Sequence, residues 1–443
     1  MKIKNLIKDT NVQNFIIDNL VVIIFVSFTV LGFILSGGAP ILFFLNELID
    51  RVFRNFLLVL SLLIPIVAGL GLNFGIVVGA MVGQAAIIFT RYQYEAAVMQ
   101  GTSTAAWSGL TGLIVSFILA LPVAALCGWL TGKLFNKVRG QEMIASLIVG
   151  FFATGIYLFI MLFAVGIIIP VIPGHPLIKF DNVGVRMSVD LGFLDEGGMK
   201  FALDNIIRVP PIHILLAGSL IALAIIVFKK VWNYKKKIPS NTSLWRFIFN
   251  ISLCAVGIVL SLVSIITDNI LMILRGVPLV TGLVMVVVCL FLHFLIKTKL
   301  GQDFRSVGQS QHIAEVSGIN VDRTRIIATI YSTVLAAWGM IIFLQNMGTM
   351  ATYDAFRNIG IFSVAAILVG GASTSRASIK NALLGAILFN AMTIISPELG
   401  LALFKDAGSG EYFRSFIVYG VIGLALGIYI WRQNKAAKDQ NKL

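Results

Sequence analysis

The chain has 443 residues, of which 58% are hydrophobic and 12% are charged, and its mean hydropathy is +0.95. Soluble globular proteins contain about 45–50% apolar and about 25% charged residues, so this composition excludes an ordinary soluble enzyme or binding domain. The net charge of +14 would suggest nucleic acid as the partner of a soluble protein. In a membrane protein such a charge arises from basic cytoplasmic loops, so we expect no nucleic-acid partner.

Apolar stretches near the length of about 17–25 residues that crosses a bilayer as a helix recur along the whole chain. In chain order they cover residues 15–35, 57–90, 107–130, 143–170, 212–228, 247–266, 277–296, 326–344, 359–395 and 416–431. The stretches 57–90 and 359–395 are long enough for two passes each. The sequence therefore predicts an all-α polytopic membrane protein, one transmembrane domain over residues 1–443, with roughly twelve passes.

The basic residues predict the orientation of these passes. With the N-terminus inside the cell, 23 of the 34 Lys and Arg residues fall on the cytoplasmic side and 11 fall outside, as the positive-inside rule requires. An even number of passes also returns the basic C-terminus to the cytoplasm. The first apolar stretch is too long for the apolar core of a signal peptide and lacks an evident cleavage site, so we expect it to be retained. The predicted location is the cell membrane, with the lipid bilayer around the helices and both termini cytoplasmic.

The first polar connection with a clear pattern covers residues 45–56. Its apolar residues are spaced as on one side of a helix, and its polar residues occupy the other side. The sequence predicts an amphipathic helix at the membrane interface. The apolar residues are Leu45, Leu48, Ile49, Val52, Phe53 and Phe56, and the polar residues are Asn46, Glu47, Asp50, Arg51 and Arg54.

Glycines recur at every fourth position after this helix. Gly71, Gly75, Gly79 and Gly83 predict a small-residue face on which another backbone packs closely. For the glycines, helix packing is favoured over contact with a ligand. The neighbouring Asn73 and Gln84 are candidates for the translocation pathway, and for Asn73 packing and solute contact remain equal alternatives. Glycines near residues 69–75 could also break the helix and expose backbone groups to a solute.

Two polar insertions interrupt the apolar pattern, at about 170–211 and at 229–246. The first carries nearly equal numbers of acidic and basic residues and is predicted to lie outside the cell. It is either a solvated loop or a contact for an external solute-binding protein. The second is rich in lysine and is predicted to contact anionic lipid headgroups from the cytoplasm.

The cytoplasmic segment at about 300–325 reads GQDFRSVGQSQHIAEVSGINVDRTR from residue 301. Four apolar residues lie at near-helical spacing within it, namely Val307, Ile313, Val316 and Ile319. A fully solvated loop would not need this apolar face, so the pattern predicts a short helix that docks on another surface.

This segment resembles the cytoplasmic signature of the permeases of ABC importers for ribose, related sugars, nucleosides and branched-chain amino acids. The match runs from Gly301 to Val321. Downstream, an apolar run that ends in a Gly-Gly-x-Ser element at residues 370–373 also resembles the family. The resemblance implies that ATPase coupling involves Arg305, Gly308, Ala314, Glu315, Ser317, Gly318 and Ile319. It adds Gly370, Gly371 and Ser373 to the candidates for helix packing or the translocation pathway.

The resemblance implies an ABC importer type II-like permease that forms one half of a dimeric channel. The second permease subunit would be identical or homologous. ATP and magnesium would bind to a separate cytoplasmic ATPase, and an external solute-binding protein would deliver a small polar solute. A sugar or nucleoside is favoured and a branched-chain amino acid is possible. The family's sugar-type element Gly-Gly-x-Asp-Leu-Ser is replaced here by Gly-Leu-Asn-Phe-Gly at residues 71–75, so the substrate of the sugar members does not carry over.

Other function classes lack their expected residues. No complete phosphate loop or dinucleotide fingerprint is present, and the scattered Cys and His residues suggest no metal site. An ion-coupled secondary transporter is the alternative, weakened because the apolar stretches lack a series of acidic and basic residues. An intramembrane enzyme would need a nucleophile with a base or a metal cluster, and neither is evident. We therefore expect no catalytic residues, no metal and no cofactor bound by this chain.

Overall fold

A computed structural model of the chain describes residues 20–35, 41–192, 197–235, 244–266, 276–373, 376–406 and 408–417, with 419–420, 423 and 427. Both termini, and most of the predicted last span at 416–431, lie outside the described residues. Within them, the helices are α1 (Leu20–Leu35), α2 (Ile41–Leu60), α3 (Leu63–Val67), α4 (Ile76–Gln100), α5 (Gly109–Lys137), α6 (Glu142–Phe159), α7 (Pro211–Lys235), α8 (Leu244–Ile266), α9 (Leu279–Lys297), α10 (Lys299–Gln309), α11 (Gln311–Val316), α12 (Val321–Met347), α13 (Arg357–Val369) and α14 (Ile379–Phe404).

Four short strands lie in connections between these helices in the described residues. They are β1 (Ser188–Asp190), β2 (Arg208–Val209), β3 (Val277–Pro278) and β4 (Thr349–Ala351). Helix α6 continues through a π-helical turn, Ile160–Ala164, to residue 167. The structure is therefore mostly helical, as the sequence predicted, with strands confined to connections.

Seven helices in the described part of the chain are long and apolar enough to cross a membrane, and three shorter apolar helices accompany them. The long ones are α4, α5, α6 with its extension, α7, α9, α12 and α14. The shorter apolar stretches are Val22–Ile34, Asn250–Ile266 and Arg357–Val369. The chain is thus a multi-pass membrane protein, and the count of twelve passes stays a prediction.

The described residues form two compact units: the first contains those within 20–35, 51–203 and 281–427, and the second contains those within 41–50 and 204–280. In the first unit, α12 packs along α4 and α5 through small residues. A Cβ atom on Gly79 would lie 2.3 Å from the Thr333 carbonyl oxygen, and one on Gly83 would lie 2.3 Å from that of Ala337. Bulkier residues at Gly79 and Gly83 would force α4 and α12 apart.

An irregular segment joins α2 to α4 and is buried in the first unit. Leu62, Leu70 and Leu72 are buried, and the backbone has positive φ at Gly69 and Gly71. Non-helical backbone is tolerated at membrane depth where surrounding protein satisfies its polar groups. The predicted break near Gly71 is present. The predicted four-glycine helix face is wrong for Gly71, because its left-handed backbone places it outside α4, and Gly75 only precedes that helix.

In the second unit, α7 packs against α8, where the Ser219 hydroxyl lies next to Gly257. Strands β2 and β3 pair antiparallel, with Arg208 opposite Pro278 and Val209 opposite Val277. The strand pair therefore joins the connection before α7 to the connection before α9.

The described residues of the insertion up to position 203, namely 170–192 and 197–203, are part of the first unit. Strand β1 pairs antiparallel with β4, and the Thr352 hydroxyl donates to the Arg186 carbonyl at 2.6 Å. The His175 ring stacks on Tyr92 of α4, with ring centroids 4.0 Å apart. The described part of the insertion is therefore attached to α4 and to the residues around β4 by backbone and side-chain contacts, which a free solvated loop would lack.

Candidate coupling segment and polar cavity

The predicted coupling helix is two helices in the structure. Ser310 has an extended backbone, with φ −159° and ψ 116°, and ends α10; its hydroxyl accepts from the Ile313 amide at 3.3 Å and caps α11. Thr298 caps α10 and Asn320 caps α12 in the same way. Such caps satisfy amides that have no partner inside the helix. Three capping residues in the local sequence therefore define three helix N-termini in this segment. The apolar spacing alone did not predict them.

The predicted apolar face is divided between an inner and an outer side. Val307, Ala314 and Val321 are buried together in a small cluster, and Ile319 packs against it. In contrast, 66% of Ile313 and 77% of Val316 is exposed. Ala314 therefore supports the fold of the segment, because the neighbouring helices cover it, and its part in ATPase coupling stays a prediction. The exposed apolar pair is Ile313 and Val316.

The remaining predicted coupling residues lie around this pair. Arg305 is exposed on α10, and Glu315 and Ser317 are exposed at the end of α11. Gly318 ends α11 with a φ of +80°, and open space surrounds it. The Ile319 amide donates to the Ala314 carbonyl across this turn at 3.0 Å, as in helix ends that need a left-handed residue. Gly318 therefore sets the turn between α11 and α12.

Two arginines join the coupling segment to the turn between α5 and α6. Arg139 in that turn contacts Glu315 at 3.1 Å and Asp322 at 2.6 Å, and these bonds raise its pKa, the one to Asp322 most. Arg325 of α12 is fully buried and donates to the Glu142 carboxylate and to the Phe135 carbonyl. A buried charge of this kind requires such partners, because desolvation of an unpaired ion is costly.

The coupling segment also contacts the irregular segment after α2. A Cβ atom on Gly308 would lie 2.2 Å from the Val67 carbonyl oxygen, and one on Gly69 would lie 2.7 Å from the Gly308 Cα. Only glycine fits on both sides of so close a backbone contact. Gly308, which is predicted to take part in ATPase coupling, therefore directly contacts the segment that follows α2.

Hydrogen bonds within the protein hold Asn73 and Gln84, the polar neighbours of the glycines. Asn73 is buried and accepts from the Gly75 amide at 2.9 Å, while its own amide donates to Ser332 at 3.4 Å. Gln84 is fully buried and donates to the Thr352 carbonyl at 2.8 Å. Neither side chain lines the two described cavities.

The Gly-Gly-x-Ser element forms the turn between α13 and α14. The Asn381 side chain donates to the Gly370 carbonyl at 2.7 Å, and Gly371 has a φ of +82°. The Ser373 hydroxyl accepts from the Arg376 amide at 3.0 Å. These residues therefore close a helix connection and lie outside both described cavities.

A cavity of about 360 Å³ lies between α2, α12, α13 and α14. Its aromatic lining residues are Phe343, Phe362 and Phe389. The polar lining residues are Arg51, Arg54, Asn55, Asp354, Asn358, Ser363, Asn390, Thr393 and Arg414. This size and mixture are typical of sites for small solutes, and we name it the polar cavity.

Hydrogen bonds from α2 set the shape of the polar cavity. Asn55 donates to Asn390 at 2.7 Å, Arg51 donates to Thr393 at 3.5 Å, and Arg54 donates to Asn346 at 3.3 Å. The predicted amphipathic helix at 45–56 is therefore confirmed as a helix, and its polar side contacts α12 and α14. Sequence reasoning missed the cavity, although the charged residues of α2 and the polar Asn390 and Thr393 within an apolar helix were its signals.

The polar cavity and the coupling segment lie at opposite ends of α12. Phe343 is 22 positions after Val321, which corresponds to roughly 33 Å at about 1.5 Å per helical residue. Ala351 and Asp354, which line the cavity, belong to or follow β4, and β4 pairs with β1 of the insertion. The cavity is thus on the side of the insertion, which the sequence predicted to be extracellular.

A second cavity, of about 510 Å³, lies between α4, α5 and α6 and is almost entirely apolar. Its wall includes Met81, Phe89, Leu119, Val123 and Ile156.

No group of three or more His, Cys, Asp or Glu residues suited to a metal ion is found in the described part of the chain.

Several curated proteins are similar to parts of this chain. A xylose transport system permease protein, XylH of Haemophilus influenzae, is 29% identical over 163 residues, which cover 36% of this chain and 40% of that protein. A probable ABC transporter permease protein, YphD of Escherichia coli, is 29% identical over 167 residues, covering 37% and 48%. A nucleoside ABC transporter permease protein, NupC of Lactococcus lactis subsp. cremoris, is 29% identical over 145 residues, covering 32% and 44%.

The chain thus spans less than half the length of each of these relatives, and no solved structure matches it. Residues 199–427 match the family described as the permease component of the branched-chain amino acid transport system. This match includes the coupling segment and confirms the resemblance that its motif indicated. It covers just over half of the 443 residues, and the chain therefore belongs to this family of ABC transporter permeases.

Proposed function

We propose that the chain is the transmembrane permease subunit of an ATP-driven importer for a small polar solute. The contact between Gly69 and Gly308 is the main support for the proposal, because it joins the coupling segment to the segment that follows α2. Helix α2 carries Arg51, Arg54 and Asn55 into the polar cavity. A displacement of the coupling segment would therefore reach α2 through one backbone contact and the chain between Gly69 and Asn55.

In this proposal the chemistry of ATP hydrolysis, with magnesium, belongs to a separate cytoplasmic ATPase. The exposed Ile313 and Val316 are the contacts on which that ATPase docks. The arginines that link the segment to α5, α6 and α12 hold it to the helices, so that the segment and the helix ends move together. Such movement between packed elements would close the cavity to one side of the membrane and open it to the other.

The orientation and the assembly belong to the same proposal. Both termini and residues 300–325 are cytoplasmic, the insertion is extracellular, and the count of passes is roughly twelve. A second permease subunit, identical or homologous, completes the channel. An external solute-binding protein delivers the solute next to the mouth of the polar cavity. The similarity to permeases named for xylose and nucleosides supports a sugar or nucleoside as the class of solute.

The test is uptake by proteoliposomes that contain this chain with the ATPase encoded by a neighbouring gene. The proposal expects solute uptake that requires ATP hydrolysis and persists when ionophores remove every ion gradient. A matched ATPase variant without its catalytic glutamate is the control. Uptake that needs an ion gradient and ignores ATP would overturn the proposal and establish the ion-coupled secondary transporter instead.

A further inference from the structure

The connection between α12 and α13, residues 348–356, has two sets of neighbours. Three of its residues, Ala351, Asp354 and Ala355, line the polar cavity. Its strand β4 pairs with β1 of the insertion, and this pairing places Ser188 opposite Ala351. One short connection therefore forms part of the cavity wall and also part of the attachment of the insertion.

Hydrogen bonds to the insertion continue beyond β4. The Thr352 amide donates to the Met187 carbonyl at 2.8 Å, and the Thr352 hydroxyl donates to the Arg186 carbonyl at 2.6 Å. The Tyr353 hydroxyl donates to the Val185 carbonyl. These bonds hold the two residues after β4 against the insertion, immediately before the cavity-lining Asp354 and Ala355.

Two membrane helices hold the same connection through the carbonyl groups of Thr352 and Ala351. The Gln84 side chain of α4 donates to Thr352 at 2.8 Å and to Ala351 at 3.2 Å, and the Tyr157 hydroxyl of α6 donates to Thr352 at 3.1 Å. Gln84, Tyr157 and Thr352 are buried, and buried polar groups are costly without such partners. Gln84 therefore fixes a residue of the cavity wall without lining the cavity itself.

We infer that Thr352 and Gln84 are positioning residues through which the insertion sets the wall of the polar cavity at Ala351 and Asp354. A shift of the insertion would reach these lining residues through Thr352, because its amide, hydroxyl and carbonyl are all hydrogen-bonded. The inference rests on the proposed function, because it names the residues by which a partner outside the cell would reach the solute site.

The experiment measures how fast a cysteine inside the polar cavity reacts with N-ethylmaleimide. The full chain, with its three native cysteines replaced, is purified in lipid nanodiscs without the ATPase. Ser363 lines the cavity and is 4% exposed, so Ser363→Cys reacts when the cavity wall opens. Ser396→Cys is the matched control in a separate chain, because Ser396 is 2% exposed and lies outside both described cavities.

Thr352→Val and Gln84→Met each remove hydrogen bonds that hold the wall. We expect each to speed the reaction of Ser363→Cys about fivefold, which is the effect of one hydrogen bond on an opening equilibrium. The reaction of Ser396→Cys should keep its rate. Thr352→Ser keeps the hydroxyl, whereas Thr352→Val keeps the shape, so Thr352→Ser should leave the reaction of Ser363→Cys unchanged.

A substitution within the insertion tests whether the insertion itself sets the wall. Val189 is buried in β1 opposite Met350 and lines neither described cavity. Val189→Ala should therefore also speed the reaction of Ser363→Cys. Phe180→Ala is its control and should not, because Phe180 is 97% exposed. The thermal midpoint of each variant shows whether it is folded, and Val189→Ala decides the question if Thr352→Val does not fold.

Unchanged reaction rates of Ser363→Cys in the folded variants would overturn the inference. So would an equal acceleration at Ser396→Cys, or an acceleration by Thr352→Ser as large as that by Thr352→Val. The measurement involves neither ATPase nor solute. A chain with the expected rates that fails to import would therefore contradict the proposed function alone, and unchanged rates in a chain that imports would contradict this inference alone.

Discussion

The backbones of Gly69 and Gly308 touch so closely that a Cβ atom on Gly69 would lie 2.7 Å from the Gly308 Cα. Gly69 follows α3 and Gly308 belongs to α10, so the contact joins the segment after α2 to the coupling segment. The glycine at position 308 was identified from the sequence as part of a motif. Its partner was not, because the two residues are 239 positions apart and no local pattern relates them.

Gly308→Ala is expected to disturb this contact. The added methyl group would meet the Val67 carbonyl at 2.2 Å, and overpacking of this kind costs about 1–3 kcal/mol. We expect a lower thermal midpoint in detergent and at least a tenfold loss of uptake. Gly155→Ala is the matched control, because Gly155 is also in a helix but has nothing within 4 Å of the added atom. Equal uptake by both variants would contradict the importance of the contact.

Gly79→Leu and Gly83→Leu are expected to prevent assembly of the first unit. Both added side chains would point into the backbone of α12, against the Thr333 and Ala337 carbonyl oxygens. Neither side chain can be accommodated unless α4 and α12 move apart. Size-exclusion chromatography of the detergent-extracted protein should show aggregation for both variants and a monodisperse peak for Gly155→Leu. A monodisperse peak for Gly79→Leu would refute the close packing of these helices.

Acidification is expected to loosen the insertion through His175. Its ring is buried against Tyr92, and burial is the main reason that its pKa lies below the ordinary value of 6.5, although the Tyr92 carbonyl and Glu95 oppose this shift. The Leu177 amide donates to Nδ1 at 3.2 Å, and Nε2 lies 3.0 Å from the Tyr92 carbonyl oxygen. Both bonds fit the neutral ring with its proton on Nε2.

Because the folded pKa is lowered, the stabilising contribution of neutral His175 is complete above about pH 6.5 and is lost as the pH falls through the folded pKa. Hydrogen-exchange protection factors of residues 172–178, corrected for intrinsic rates, should therefore fall between pH 7.5 and 5.5. His175→Phe should remove this pH dependence. His213→Gln, at the start of α7 in the other unit, should not. A pH dependence that persists in His175→Phe would locate the effect elsewhere.

The predicted orientation can be tested by cysteine labelling in intact cells. Phe180 in the insertion is 97% exposed, and His312 is exposed on α11. In a chain whose three native cysteines are replaced, we expect Phe180→Cys to react with an impermeant maleimide and His312→Cys to react only after the cells are permeabilised. Reaction of His312→Cys in intact cells would reverse the orientation.

The fold and the site differ in how far the sequence could predict them. Long apolar stretches predict spans because hydrocarbon requires them, and the motif at 301–321 located the coupling segment. The apolar pattern could not separate Ala314, which neighbouring helices cover, from Ile313 and Val316, which they leave exposed. It also could not place Arg51 beside Thr393, because those residues meet only when α2 packs on α14. Tertiary contacts between distant residues decide both cases.

The coupling segment has both exposed and buried apolar residues, and substitutions in the two groups together test ATPase docking. Ile313 and Val316 are exposed, so Ile313→Glu and Val316→Glu should leave the permease folded. The same changes would bury a carboxylate without a partner in the docked interface, which costs several kcal/mol. We expect the ATPase to be lost on copurification and ATP-dependent uptake to fall at least a hundredfold, at an unchanged level of permease.

Ala314→Arg provides the contrast, because Ala314 lies in the buried cluster with Val307 and Val321. An arginine there should unfold the segment and lower the amount of stable permease, in addition to any loss of the ATPase. His312→Ala, on the exposed surface next to Ile313, is the control that should change neither quantity. The three measurements, permease level, ATPase recovery and uptake, are made on the same membranes. Full ATPase recovery with both glutamate variants would mean that the ATPase docks elsewhere, and the coupling role of this segment would then fail.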